Sequence, residues 1–219
     1  MLNKNELFFR LTQLLNSIPK DISGSVTFNN GRCRVAAVLV IIHYKFIDND
    51  DEDNNNNKIP HLLLTKRSSR ITAHANEISF PGGSFDKSDA SLADTAIRET
   101  KEEIGLDFQK SDLIGHLAAV RTLTSNFIIY PFVTFQDKRP LIPTILTDEV
   151  QGIIDAPLVD ILKTMDKDYN YNYSRYYSHQ HNYSSLEDAY KFTYRNEVIW
   201  GATARILKQL YDCLCIEHK

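Results

Sequence analysis

Glu99, Glu102 and Glu103 lie close together in the chain, directly after Arg98. A helix turns once in 3.6 residues, so offsets of three and four bring all three carboxylates to one side. Like charges that close repel, and a solvated helix usually intersperses Lys or Arg at those offsets. A hard divalent cation with oxygen ligands, Mg²⁺ first among them, is the simplest relief. Arg98 can hold Glu99 through a bidentate hydrogen bond. Upstream, Gly82 and Gly83 free a turn from Cβ clashes and let backbone approach a charged ligand. A cation bound in this way shares substrate phosphates, so the expected chemistry is displacement at phosphorus with water as nucleophile. A plain acidic helix after a tight turn is the competing reading. It is the weaker one, because Phe80-Pro81-Gly82-Gly83 precedes the acids, Arg98-Glu99 opens them and Gly105-Leu106 closes them.

These residues need elements to hold them. Ser91-Leu92-Ala93-Asp94 has a capping-box pattern that starts a helix. Leu92, Ala96, Ile97 and Ile104 give that helix an apolar stripe beside the acids, and Gly105 suits a left-handed stop. Ahead of it, residues 4–17 carry Leu7, Leu11, Leu14 and Leu15 at helical spacing. Val35–Phe46 reads as a buried strand, His61–Thr65 as a second, and Ile78–Phe80 as a short extended piece. Leu113–Val120 and Phe127–Phe135 are two further strands. Glu149–Leu162 is predicted as a helix interrupted near Pro157. Phe192–Trp200 is a hairpin turning at Arg195-Asn196, and Ala202–Leu214 is a closing helix. Alternating strands and helices make one α/β domain. The expected division is a helix and lead-in over 1–32 and the main domain over 33–219. Within it, an acidic, Asn-rich loop over 47–58 and a Tyr/Asn-rich excursion over 167–190 are expected to be disordered or partly ordered.

Composition narrows the function. With 219 residues, 42% hydrophobic and 24% charged, the chain is long and apolar enough to bury a sizeable core. A net charge of −3 excludes a broad electrostatic attraction to nucleic acid. Three cysteines, Cys33, Cys213 and Cys215, are too few and too uneven for a disulfide framework and fit a reducing compartment. The longest apolar run, Val35–Ile42, is too short to span a bilayer. Met1-Leu2-Asn3-Lys4 is no apolar leader, and cytoplasm is the expected location.

The segment Gly83–Leu106 resembles the Nudix box, Gly-x5-Glu-x7-Arg-Glu-U-x-Glu-Glu-x-Gly-U, where U is aliphatic. Gly83, Arg98, Glu99, Glu102, Glu103, Gly105 and Leu106 match it. Asp89 stands for the first glutamate, one extra residue separates it from Arg98, and Thr100 takes the first aliphatic position. A second stretch resembles Nudix enzymes that cleave coenzyme A, with the pattern L-L-T-x-R-S-x3-R-x3-G-x3-F-P-G-G. Leu63-Leu64-Thr65-Lys66-Arg67-Ser68 and Phe80-Pro81-Gly82-Gly83 match at that spacing, with Thr72 in place of the inner Arg and Asn76 in place of the inner Gly. Asn is the residue best able to replace Gly at positive φ, and Arg70 could stand in for the missing Arg. Ile199–Ala204 also resembles that subgroup.

The resemblance implies an α/β/α sandwich with a mixed central sheet and a Mg²⁺- or Mn²⁺-dependent diphosphatase. Its products from coenzyme A would be 4′-phosphopantetheine and adenosine 3′,5′-bisphosphate. Glu99, Glu102 and Glu103 would bind metal, Arg98 would orient Glu99, and Gly82 and Gly83 would admit the diphosphate. The rival readings are hydrolysis of another nucleoside diphosphate compound and a catalytically silent nucleotide-binding module. The expected partner is a small coenzyme A-like nucleotide, with no nucleic acid and no membrane. A homodimer is left open.

Glu149 could complete the metal site or act as base, or it could be an acid favoured at a helix N-terminus. Arg67 and Arg70, beside Lys66, are candidates for pyrophosphate, and Arg121 is a weaker one. His74 is read as a structural hydrogen-bonding residue more than as a base. Tyr169, Tyr171, Tyr173, Tyr176 and Tyr177 could stack on an adenine, although a variable excursion is the cheaper explanation. Trp200 is read as core.

Overall fold

The computed structural model describes residues 4–15, 34–46, 58–70, 75–122, 125–137, 140–167 and 190–214. The acidic loop over 47–57, Thr72, His74, Cys33, Cys215 and the five tyrosines between 169 and 177 lie outside them. Lys58, read as the last loop residue, opens a strand.

The apolar run Arg34–Phe46 is β1, the centre of the main sheet. It has no polar alternation because both its faces are covered. Val38, Val40 and Ile42 enter one core, and Ala37, Leu39 and Ile41 enter the other. Along one edge β1 pairs in parallel with β7 (Phe127–Gln136), from Arg34 opposite Phe127 to His43 opposite Gln136. Two antiparallel strands share the other edge. β4 (Gly82–Ser84) pairs with Ala36–Val38, and β2 (Lys58–Arg67) pairs with Ile41–Phe46. Between them the Leu39 N–H donates to the Pro81 carbonyl at 2.8 Å. β3 (Ile78–Ser79) and β8 (Val150–Pro157) pair with β2, while β5 (Leu113–His116) and β6 (Val120–Arg121) pair with β7. The predicted strand Leu113–Val120 is thus two strands, separated where Leu117 bonds the Pro131 carbonyl.

Helix α2 (Leu92–Ile104) covers one face of the sheet. The other face carries α1 (Lys4–Leu14), α3 (Leu158–Leu162) and α4 (Gly201–Leu214), so the layers are α/β/α. Leu7 and Leu11 of α1 are fully buried in that second core, which makes the N-terminal helix part of the same body. A small sheet of β9 (Asp166–Lys167), β10 (Tyr190–Tyr194) and β11 (Glu197–Ile199) flanks it. The β10–β11 hairpin turns at Arg195-Asn196 as the sequence predicts, with Arg195 at φ 52°. No helix among the described residues is long and apolar enough to cross a membrane.

One element departs from expectation. Glu149–Leu162 is predicted as a helix, but Val150–Pro157 is a strand and only Leu158–Leu162 is helical. Gly152, the paired β-branched Ile153 and Ile154, and Pro157 are poor helix material, and the ladder from His61–Pro157 to Arg67–Val150 settles the outcome.

Candidate active site

Helix α2 begins where the sequence says it should. Ser91 Oγ accepts the Asp94 N–H at 3.3 Å and donates to the Asp94 carboxylate at 2.7 Å. Gly105 ends the helix at φ 69°. Two of its last carbonyls would otherwise be orphaned. Leu146 N–H donates to Glu103 O at 3.0 Å, and Thr144 N–H donates to Ile104 O at 2.8 Å. The segment that caps α2 therefore runs straight on to Glu149. Thr100, at the box's aliphatic position, is fully buried and returns its hydroxyl to the Ala96 carbonyl at 2.7 Å.

The three acids occupy different environments. The Glu102 side chain is 59% exposed, Glu99 is largely covered and Glu103 is buried. Glu103 Oε2 accepts the Gly82 N–H at 3.1 Å. Burial pushes its carboxyl up to about 7, against the Gly82 hydrogen bond and the Arg67 charge, while Glu99 and Glu149 push it the same way as burial. Burial also raises Glu99, against the pull of Arg98. Glu99, Arg67 and Glu149 are the charges that act on Glu103.

The glycine turn makes this packing feasible. A Cβ on Gly83 would lie 2.5 Å from the Glu99 carboxyl carbon. One on Gly82, at φ 146°, would lie 2.3 Å from the Ala37 carbonyl. The space beside Gly83 thus holds the Glu99 carboxylate itself, and the space beside Gly82 holds the backbone of β1.

Arg98 does not give its fork to Glu99, as the sequence reading expects. Nε and Nη2 bind the two oxygens of Asp89 at 2.8 and 3.0 Å, and Nη1 is shared between Glu99 at 2.9 Å and Glu102 at 3.1 Å. The bidentate partner is Asp89 because its carboxylate is nearly enclosed, with 4% exposure, and also accepts the Thr95 hydroxyl at 2.8 Å. The Arg98 hydrogen bonds, first among the causes, hold Asp89 down at about 2. Asp89 is therefore the anchor of the arginine that touches both outer acids. The sequence shows it only as an off-register first acid of the box. A groove of ≈ 470 Å³ opens here, with Ser84, Phe85, Asp86 and Ser88 on one side and Arg98, Glu99 and Glu102 on the other.

Opposite, Ser68 N–H donates to the Glu149 carbonyl at 2.7 Å, and the Glu149 carboxylate lies 3.6 Å from Arg67 Nη2. Since β8 starts at Val150, Glu149 precedes a strand, and the helix-dipole reading of this acid falls away. Arg67 Nε is buried with no hydrogen-bond partner among the described residues. Arg70 is exposed in the turn after β2. Asn76 sits at φ 62°, the conformation that a glycine would supply there. Lys66 and Arg121 are engaged elsewhere, with Glu197 at 2.5 Å and Asn126 at 3.2 Å. Trp200 is half-buried.

Comparison with known proteins identifies the family of the chain. The family model for the NUDIX domain matches residues 51–180, more than half of the chain. A Nudix hydrolase NudL of Yersinia enterocolitica, itself uncharacterized, is 34% identical over 157 residues, covering 69% of this chain and 72% of the relative. That of Photorhabdus laumondii is 33% identical over 156 residues, covering 69% and 75%. Among solved structures, a MutT/nudix family protein from Enterococcus faecalis superposes with a TM-score of 0.50 at 14% identity, covering 99% of this chain and 72% of that one, a likeness of fold. The chain belongs to the Nudix hydrolase family, and it is a pyrophosphohydrolase of nucleoside diphosphate-linked substrates.

Proposed function

We propose that this enzyme hydrolyses the pyrophosphate bond of coenzyme A or its thioesters, giving 4′-phosphopantetheine and adenosine 3′,5′-bisphosphate, with Mg²⁺ or Mn²⁺. The observation that carries the proposal is Arg67. It comes from the Leu63–Ser68 stretch that resembles Nudix enzymes that cleave coenzyme A, its Nη2 lies 3.6 Å from the Glu149 carboxylate, its charge acts on Glu103, and its buried Nε–H has no partner among the described residues. An unmatched buried donor is costly, and an anionic oxygen would satisfy it.

Glu99, Glu102 and Glu103 offer only oxygen donors, the set that a hard cation takes. Such a cation, when bound, would neutralise phosphate charge and make water a better nucleophile. The chain's own groups do the rest. Arg98, pinned by Asp89, holds Glu99 and Glu102 apart from solvent disorder. Gly82 N–H fixes Glu103. Glu149 is the acid able to accept a proton from the attacking water, and Arg67 orients it. Arg70, exposed beyond β2, is the basic group proposed for the 3′-phosphate.

A panel of coenzyme A, dephospho-coenzyme A, NADH and ADP-ribose, assayed with each metal and resolved by chromatography, tests this. Coenzyme A should be cleaved fastest. Arg70→Ala should narrow its advantage over dephospho-coenzyme A by roughly 1.5–3 kcal/mol, the worth of a charged hydrogen bond. An inert coenzyme A beside rapid turnover of ADP-ribose or NADH would move the enzyme to the other nucleoside diphosphate compounds. No metal-dependent turnover of any of them would favour a silent binding module.

A further inference from the structure

On the sheet face that carries α2, three strands bring polar side chains together. His43 on β1 stands directly opposite His61 on β2. Asp155 on β8 is paired with Leu63, two positions farther along β2 and on the same face. Strand alternation sets His43 in line with Ala37, Leu39 and Ile41 of the apolar core. Both imidazoles are buried, with 4% and 10% of their side chains exposed, whereas Asp155 keeps 25%. His43 Nε2 lies 3.0 Å and His61 Nδ1 2.7 Å from the same Asp155 oxygen, Oδ1. Lys45 Nζ holds the other oxygen at 3.1 Å. One donor atom from each of the three lies within 4.8 Å of the other two.

We propose that His43, His61 and Asp155 form a second metal site, for a first-row transition cation of the zinc class. Two imidazole nitrogens and one carboxylate oxygen select zinc, nickel or copper over magnesium, the reverse of the all-glutamate centre on α2. Tetrahedral zinc with bonds of ~2.0–2.1 Å sets its donors roughly 3.3 Å apart. The nitrogen–oxygen separations of 3.0 and 2.7 Å would open by roughly 0.3 and 0.6 Å to reach it. Both rings turn a nitrogen to Oδ1, while the second oxygen is left to Lys45, which fixes a monodentate carboxylate and serves as its outer partner. The partly exposed Asp155 side leaves a fourth position for water. His43 lies five residues beyond Val38, where Gly82 pairs with β1, so the two centres are about 16 Å apart along the strand at ~3.3 Å per residue. Sequence reading does not assemble this site, because each histidine is alone in its strand and Asp155 falls in the span predicted as helix.

Cobalt serves as the probe. The full chain is stripped with chelator, dialysed and titrated with Co²⁺ in millimolar Mg²⁺, which competes for the oxygen-only sites. One equivalent should bind, with the strong visible absorption of four-coordinate cobalt, and Zn²⁺ should displace it. His61→Ala and Asp155→Asn should each weaken binding at least ~100-fold, and Lys45→Ala about tenfold. Circular dichroism checks that the variants fold. In the unaltered chain, Zn²⁺ should shift the imidazole resonances of two of the seven histidines, a readout that no variant can spoil. Failure to take up one equivalent, or uptake equal in Asp155→Asn, would overturn the proposal and leave a hydrogen-bonded cluster. Mg²⁺-dependent hydrolysis, followed separately, is not decided by this outcome.

Discussion

Glu103, proposed as a metal ligand, carries a stability cost. Its folded carboxyl titrates at about 7, above the ordinary 4.5, because it is buried. Folding without metal thus takes up a proton between those values. That stability is complete below about pH 4.5 and is lost as pH rises through about 7. Glu103→Gln in chelator should therefore be more stable than the parent at pH 8, by up to about 3 kcal/mol, and equal to it below pH 4.5. Urea unfolding at several pH values measures this. With metal, the same variant should lose turnover by ~10²-fold or more. A parent-like kcat would refute the role given to the helix acids. Asp89 behaves in the opposite sense. Its folded value of about 2 lies below the ordinary 3.8, so its contribution is present above about pH 4 and fades as pH falls toward 2. Asp89→Asn should cost about 2 kcal/mol at neutral pH, with the deficit vanishing near pH 2. A deficit constant with pH would mean that Arg98 does not depend on the ionised carboxylate.

Between the residues and the molecule, the glycine turn and α2 work as one unit, and the two glycines separate its tasks. Gly82→Ala would drive a Cβ into the β1 backbone at a positive φ, so β4 should come away from β1, with a loss above ~2 kcal/mol. Gly83→Ala would meet the far end of a side chain, so Glu99 should swing out instead. For that variant kcat should fall tenfold or more while the unfolding midpoint moves little. Equal effects of the two would undo the distinction. This unit was the most legible part of the sequence, because its signals are local. Ser91 and Gly105 bracket α2, and Asn76 takes a positive φ as a glycine substitute should. The long-range features were not legible. β8 is a strand because β2 lies beside it, and no pattern within Val150–Pro157 carries that information. Arg98 chose Asp89 over its neighbour Glu99 because a loop brings an enclosed carboxylate across from it.

At the scale of the whole molecule, β1 and β7 form the one parallel pairing among the described residues, and partners such as Arg34 and Phe127 are about 90 positions apart, a costly separation to close. The glycine turn and α2 lie inside that crossover, and Arg67 meets Val150 through an equally distant ladder. The two halves of the proposed active site are thus joined by contacts between distant parts of the chain, which should form last on refolding. After dilution from urea, helical ellipticity should rise ahead of hydrolysis, and hydrolysis should return with the rate constant of the slowest, sheet-forming phase. A chain that regained activity in its earliest phase would show that α2 and its turn can be poised for catalysis before the central strands meet.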